Sequence, residues 1–185
     1  MGTEPTTQHP PAPDGAGPLV AEVDVLVVGA GLSGIGAACH LRREVPGRSV
    51  LVLEARDAIG GTWDLFRYPG VRSDSDINTL SYSFRRWRGD AVIADGATIL
   101  DYIRTTAAEH GVDRLVRFGR RVLAACWSSA DARWEVEVER AGGGRERYRS
   151  RFLYLNTGYF RYDRGHTPEL PGLDRFAGPV VHPQR

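Results

Sequence analysis

The sequence contains no lysine: all 24 basic residues are arginine. That absence removes two chemistries, the Walker lysine of a P-loop nucleoside triphosphatase and the Schiff-base lysine of pyridoxal phosphate enzymes. Arginine does not replace it, because a guanidinium stays protonated in proteins. Cysteine is scarce as well. Cys39 and Cys126 stand far apart and outside any metal-type spacing, and they read as small buried apolar side chains of a reducing compartment rather than as a disulfide, a nucleophile or metal ligands. No stretch approaches the roughly 18 consecutive apolar residues of a membrane-spanning helix, and the N-terminus lacks the basic-then-apolar order of a secretory signal, so the cytoplasm is the expected location. The formal net charge of +1 gives neither the basic excess of a nucleic-acid binder nor the acidic excess of a solvating tail, and the expected partner is a small molecule. Nothing in the sequence speaks to oligomeric state.

What is present is one ordinary globular domain: 185 residues, 42% of them hydrophobic, are enough for a sizeable core. Residues 1–22 are rich in proline and glycine with almost no large apolar side chain, the composition of a disordered leader. Residues 23–28 then form a nearly continuous apolar run, as expected of a parallel strand buried on both faces. A glycine turn follows, then a short amphipathic helix over 33–44, stopped by Pro46 and Gly47, and a second apolar strand over 49–53. Residues 56–75 carry four turn-forming Gly and Pro residues and little periodicity, and so long a loop inside a compact domain is usually functional. Helices are expected over 76–84 and 97–110. From Leu115 the period changes to two, in 115–118, 122–127 and 134–139, with Gly142 to Gly144 as a hairpin turn. These segments read as a small antiparallel meander that returns into a buried strand over 152–155. The fold class expected is therefore α/β: a Rossmann-like parallel sheet with helices on both faces and a small antiparallel meander.

The first motif is Gly29-Ala30-Gly31-Leu32-Ser33-Gly34, placed between strand and helix, with Glu54 at the end of the next strand. Gly29 permits a tight turn, Gly31 lets the backbone approach a pyrophosphate, and Gly34 lets the helix pack closely, so that Ser33 and the helix N-terminus face the phosphates. Glu54 is suited to accept both ribose hydroxyls of an adenosine, and its charge repels a 2′-phosphate. A lone glycine triplet is weak, but strand, helix, spacing and acid agree here. The triplet alone does not separate FAD from NAD.

A second constellation does. The run Gly60-Gly61-Thr62-Trp63-Asp64, followed by Arg67-Tyr68-Pro69-Gly70-Val71-Arg72-Ser73-Asp74, resembles the flavin-side loop of type I Baeyer–Villiger monooxygenases, and within them the mycobacterial subgroup that activates thioamide prodrugs. The resemblance extends from residue 23 to 185. It implies FAD and NADPH as cofactors, with Gly61, Thr62, Trp63, Asp64 and Leu65 contacting FAD and Arg72, Ser73 and Asp74 lying between flavin and NADPH, Asp74 being the one catalytic candidate. It also implies a backbone contact from Val122 to the adenine and a return of the chain toward the cofactor at Gly158, in Asn156-Thr157-Gly158-Tyr159. Taken alone, Trp63 reads as a core aromatic, Val122 as a core valine, and Arg67 and Arg72 as a solvated loop face.

The sequence ends in Phe176-Ala177-Gly178-Pro179-Val180-Val181-His182-Pro183-Gln184-Arg185, which is similar to the family's FxGxxxHxxxW fingerprint up to the residue before its Trp. The expected organisation is thus a leader (1–22), an incomplete FAD-binding domain (23–160) and a linker (161–185) into an NADPH-binding domain not contained in the chain. The resemblance implies that NADPH reduces FAD and that O2 then supplies an oxygen atom to a ketone or to a sulfur or nitrogen atom, while the 185 residues alone are expected to be inactive. Two other readings share much of this pattern, a nitrogen- or sulfur-oxidising flavin monooxygenase and a non-catalytic, truncated nucleotide-binding fragment.

Overall fold

The computed structural model describes residues 17–184. Six strands form one sheet: β1 (Leu19–Val28), β2 (Val50–Leu53), β3 (Val116–Arg117), β4 (Arg120–Ser128), β5 (Arg133–Arg140) and β6 (Arg145–Leu155), in the order β3-β2-β1-β6-β5-β4. The pairings of β1 with β2 and β6 and of β2 with β3 are parallel, and those of β5 with β4 and β6 are antiparallel. Four helices are added: α1 (Leu32–Glu44), α2 (Thr62–Leu65), α3 (Ile77–Leu80) and α4 (Gly96–Glu109).

Strand alternation divides the core in two. Val25, Val27, Val50 and Val52 face α1 and α4, burying Ile35, Ala38, Ile99 and Ile103. Leu26, Leu51 and Leu53 point the other way, onto Val136, Val138 and Tyr148 of the meander. The expected α/β fold with its Rossmann-like sheet and meander is present. The expectation of helices on both faces is corrected, since among the described residues α1 and α4 share one face and the meander covers the other. Helix α1 buries Gly34, Ile35, Gly36, Ala38 and Cys39 and ends with Arg42 and Arg43 in its last turn, where positive charge suits the helix dipole. Asp95 caps α4 by accepting from the Thr98 amide at 2.9 Å.

Several expectations are corrected. Of the leader, residues 1–16 lie outside the described residues, but β1 begins at Leu19, because β6 supplies a partner from Arg147 onward. The 76–84 helix shortens to one turn with Asp76 as its cap; Tyr82 leaves it to stack on Phe84 and Tyr102 at 5.0 and 5.5 Å and to donate to Leu32 O at 2.6 Å. The 115–118 strand belongs to the parallel half, paired with β2, rather than to the meander. Phe152, Tyr154 and Leu155, expected to be buried, are 64%, 54% and 65% exposed, because the pairing of β6 with β5 stops at Ser150. Cys39 is buried, and burial pushes its thiol up to about 11, whereas Cys126 is exposed on edge strand β4.

Tyr148 ties the two halves of the second core and donates its hydroxyl to Glu146 Oε2 at 2.8 Å, where Arg120 also donates at 3.1 Å. Tyr148→Ala is expected to lower stability by about 3–5 kcal/mol, the range for emptying a large aromatic site. Tyr148→Phe removes only a hydrogen bond, with Glu146 still held by Arg120, and is expected to lower it by about 1 kcal/mol. Urea unfolding of the two variants checks the difference.

Candidate dinucleotide site

At the end of β1 the backbone turns where only glycine fits. Gly29 has φ +100°, donates its amide to Leu53 O at 2.8 Å, and a Cβ on it would meet Asn156 O at 2.3 Å. A Cβ on Gly34 would lie 1.8 Å from Gly29 O, so α1 starts in backbone contact with the turn. The helix has no side-chain cap and no acidic residue in its first turn, and its first intrahelical bond runs from Ile35 N to Gly31 O at 3.0 Å. The preceding amides, Ser33 among them on the exposed side, form a half-positive terminus open to an anion.

Glu54 stands beside this turn, 7% exposed. Its carboxylate accepts from the Ala30 amide at 2.7 Å and the Arg56 amide at 2.9 Å. A carboxylate has about four acceptor positions, so two remain for a ribose. The start of β4 is fastened here too, through Arg120 N to Glu54 O at 2.8 Å and Gly119 N to Arg56 O at 2.9 Å.

The Gly60-Gly61 loop crosses over the turn. Gly60 N donates to Ala30 O at 3.0 Å, and Gly61, at φ +55°, has its Cβ direction blocked by Gly31 Cα at 2.9 Å. What holds the crossing is Asp64, 3% exposed. Its carboxylate accepts from Arg56 at 2.5 Å and from Arg67 and Arg104 at 2.8 Å each. Arg56 also donates to Gly61 O at 3.2 Å and Arg104 to Ile59 O at 3.2 Å, so both arginines brace the loop backbone as well as the acid.

The structure therefore brings together Gly29, Gly31, Ser33, Gly34, Glu54, Gly61 and Thr62. The other candidates fall elsewhere or face differently. Trp63 packs against the first core, as its residue type alone implied. The Asp64 carboxylate is engaged by the three arginines, and Leu65 is half-buried at the end of α2. Ser73 is buried and accepts from the Ala94 amide at 3.2 Å, which ties the loop to the segment before α4; its neighbours Arg72 and Asp74 are exposed. Val122 packs on the second core, two residues beyond the bond that joins β4 to Glu54. Gly158, at φ +69°, turns the chain in open space.

Three residues at the site, Arg56, Arg104 and Tyr162, escaped the sequence reading, and a fourth, Asn156, entered it only as part of the motif around Gly158. Arg56 and Arg104 belong to no motif, and only the fold brings them to Asp64. Asn156 closes on Gly29, and its side-chain nitrogen Nδ2 is buried without a partner. Tyr162 reaches back from the segment after β6, its ring on the Arg56 guanidinium at 5.5 Å. Farther along, His182 is fixed by its backbone neighbours: Nδ1 accepts from the Gln184 amide at 3.1 Å, which leaves the proton on Nε2 to donate to His166 O at 3.2 Å. It borders a cavity of about 700 Å³ shared with Phe66, Phe160 and Arg164.

An open helix terminus, a half-used buried acid, a glycine-lined crossing and an unpartnered amide fit the ADP half of a dinucleotide. Residues 27–91 match the NAD(P)-binding Rossmann-like domain family. The chain is 48% identical over 166 residues to the FAD-containing monooxygenase EthA of Mycobacterium tuberculosis, and 50% identical over 166 residues to the protein of that name from Mycolicibacterium smegmatis. Each match covers 90% of this chain and 34% of the relative, so the chain spans about a third of the length of the curated relatives it matches. Among solved structures it resembles an oxidized steroid monooxygenase bound to NADP, with a TM-score of 0.69 and 35% identity over 89% of this chain and 31% of that one. The homologues of this chain are thus FAD-containing monooxygenases.

Asp64→Ala leaves three guanidinium groups without their common partner. A buried pair broken on one side costs about 3–5 kcal/mol, but Arg67 and Arg104 are 69% and 46% exposed and recover water, so a loss of about 1–3 kcal/mol is expected. At about 2–4 °C per kcal/mol for a chain of this size, calorimetry should show the drop in Tm, and proteolysis should begin in residues 59–67.

Proposed function

We propose that this chain is the FAD-binding part of a flavin-dependent monooxygenase of the Baeyer–Villiger type, which with NADPH and O2 inserts an oxygen atom next to a carbonyl. The observation that carries the reading is the crossing of Gly61 over Gly31 beside Glu54, a cradle for the ribose and pyrophosphate of a dinucleotide with a flavin-side loop continuing from it. Residues 19–160 form the FAD unit in this proposal, and 161–185 lead toward an NADPH-binding unit in a cytoplasmic protein.

Gly29, Gly31, Ser33 and Gly34 hold the pyrophosphate at the start of α1, where the helix dipole and free amides replace water around the negative charge. Glu54 takes the adenosine ribose hydroxyls and disfavours a 2′-phosphate at this position, while the Val122 backbone meets the adenine. Thr62, Trp63 and Leu65 border the flavin, and Asp64 sets their position through its arginines. Arg72, Ser73 and Asp74 lie toward NADPH, with Asp74 the catalytic candidate and Gly158 returning the chain to the cofactor. Bound FAD supplies the redox chemistry, accepting a hydride and activating O2. The chain's own task is to bind, orient and exclude water.

A nitrogen- or sulfur-oxidising monooxygenase is the second reading, since the first two motifs suit it equally. The Phe176, Gly178 and His182 spacing favours the carbonyl reaction. A non-catalytic fragment is the third, and it differs from both in lacking any activity when extended to the length of the relatives.

Titrating the chain with FAD, followed by flavin fluorescence, tests the proposal, and a chain that binds no FAD overturns it. Glu54→Ala is expected to weaken FAD binding by roughly 2–3 kcal/mol, since hydrogen bonds to a charged group contribute about 1.5–3 kcal/mol. Because Glu54 also holds two backbone amides, Tm is recorded alongside.

A further inference from the structure

Tyr162 lies in the segment after β6, for which neither the motifs nor the FAD reading has a use, yet its hydroxyl sits at the crossing of the two glycine loops. A Cβ on Gly61 would find Gly31 Cα at 2.9 Å and the Tyr162 hydroxyl oxygen at 3.6 Å. The ring rests on Arg56 at 5.5 Å, the residue whose amide binds Glu54 and whose guanidinium binds Asp64. The Thr62 hydroxyl is beside it, and burial, then the nearby Glu54 charge, push the phenol above its ordinary value, so at neutral pH the group is a donor.

The position is maintained from both sides. Arg161 and Asp163, the residues flanking Tyr162, form a two-pronged ion pair at 3.1 and 2.8 Å, and the Gln184 side chain donates to Arg161 O at 2.6 Å. Upstream, Gly158 supplies the positive-φ turn that sends the chain back toward the site. A tyrosine serving only as packing has no need to place its hydroxyl where two backbones meet, since buried or half-buried phenols are most often satisfied by a partner. The hydrogen bond with Thr62 lowers the phenol's pKa, as a bond donated to its oxygen does, and leaves the phenol's own proton for a further acceptor.

We infer that Tyr162 is a cofactor-positioning residue that closes over the ADP half of the dinucleotide and donates its hydroxyl to an oxygen at the junction of ribose and pyrophosphate. The inference rests on the FAD reading and adds to it a specific contact. Glu54 marks the ribose end and Gly31 the pyrophosphate end, and the phenol is within reach of the ground between them. Arg56 beneath the ring holds it in that orientation by cation–π attraction.

The test is calorimetric titration of the chain with FAD and, separately, with ADP, for wild type and Tyr162→Phe. The phenylalanine keeps the ring and its contact with Arg56 and removes only the donor. FAD and ADP affinities are expected to fall by the same factor, on the order of tenfold, with Tm unchanged. A purely structural role would move Tm and spare ADP once the protein is folded. Wild-type-like binding of both ligands by Tyr162→Phe overturns the inference alone. Weaker FAD binding with unchanged ADP binding also overturns it, because the hydroxyl would then act at the flavin end. Wild-type protein that binds neither ligand overturns the FAD reading and this inference with it. If Tyr162→Phe is unstable, Tyr162→Trp, which keeps a stacking ring without a hydroxyl at that reach, takes its place under the same criteria.

Discussion

Backbone-to-backbone contact without intervening side chains is the constraint from which the rest of the site follows. Gly29 touches Asn156, Gly34 touches Gly29 O, and Gly61 touches Gly31 Cα. The first and third contacts bring together segments far apart in sequence, and the three together place the ends of β1, β2 and β6, the start of α1 and the 60–61 loop within one small volume. A methyl group at Gly29 or Gly34 would collide with backbone, which cannot move aside as a flexible side chain can. The parallel order β3-β2-β1-β6 puts this convergence at the carboxyl ends of β1 and β6, where the winding direction reverses and open α/β sheets bind ligands.

Charge is arranged around that convergence by two buried acids treated in opposite ways. Glu54 is met by neutral amides, which satisfy its oxygens without cancelling its charge. It therefore stays an acceptor for hydroxyl donors and a repellent for phosphate. Asp64 is met by three guanidinium groups, so the cluster it makes with Arg56, Arg67 and Arg104 has more positive than negative groups although its most buried member is an acid. In the proposed binding mode, the hydroxyl-bearing and phosphate-bearing parts of a dinucleotide would meet different fields. Arginine suits this use better than lysine would, since Arg56 and Arg104 each bond the carboxylate and a loop carbonyl at once through a rigid fork.

Much of this was legible in the sequence because it depends on local rules. The apolar run before Gly29, the glycine spacing, the period of α4 and the Gly142 to Gly144 turn each act over a few residues. What was not legible depends on partners distant in sequence. Tyr82 looked helical until the stack with Phe84 and Tyr102 outweighed one more helical turn. Residues 152–155 looked buried because they are apolar, but burial is a property of what packs on a strand, and β5 leaves β6 at Ser150. Trp63 shows the reverse case. The plain reading from residue type agrees with its place against the first core, while the family resemblance points it at the flavin, and a large indole can serve as both wall and core.

The exposed end of β6 bears on the site itself. Val28 pairs with Leu155, and the next residue, Asn156, is the one packed on Gly29, so the strand segment with one free edge is also a wall of the candidate site. A free edge with Phe152, Tyr154 and Leu155 at 54–65% exposure is a surface that folded proteins usually cover. Covering it would exclude water from the side of the candidate cradle nearest Asn156, whose side-chain Nδ2 lacks a partner, and would strengthen the electrostatic contacts there.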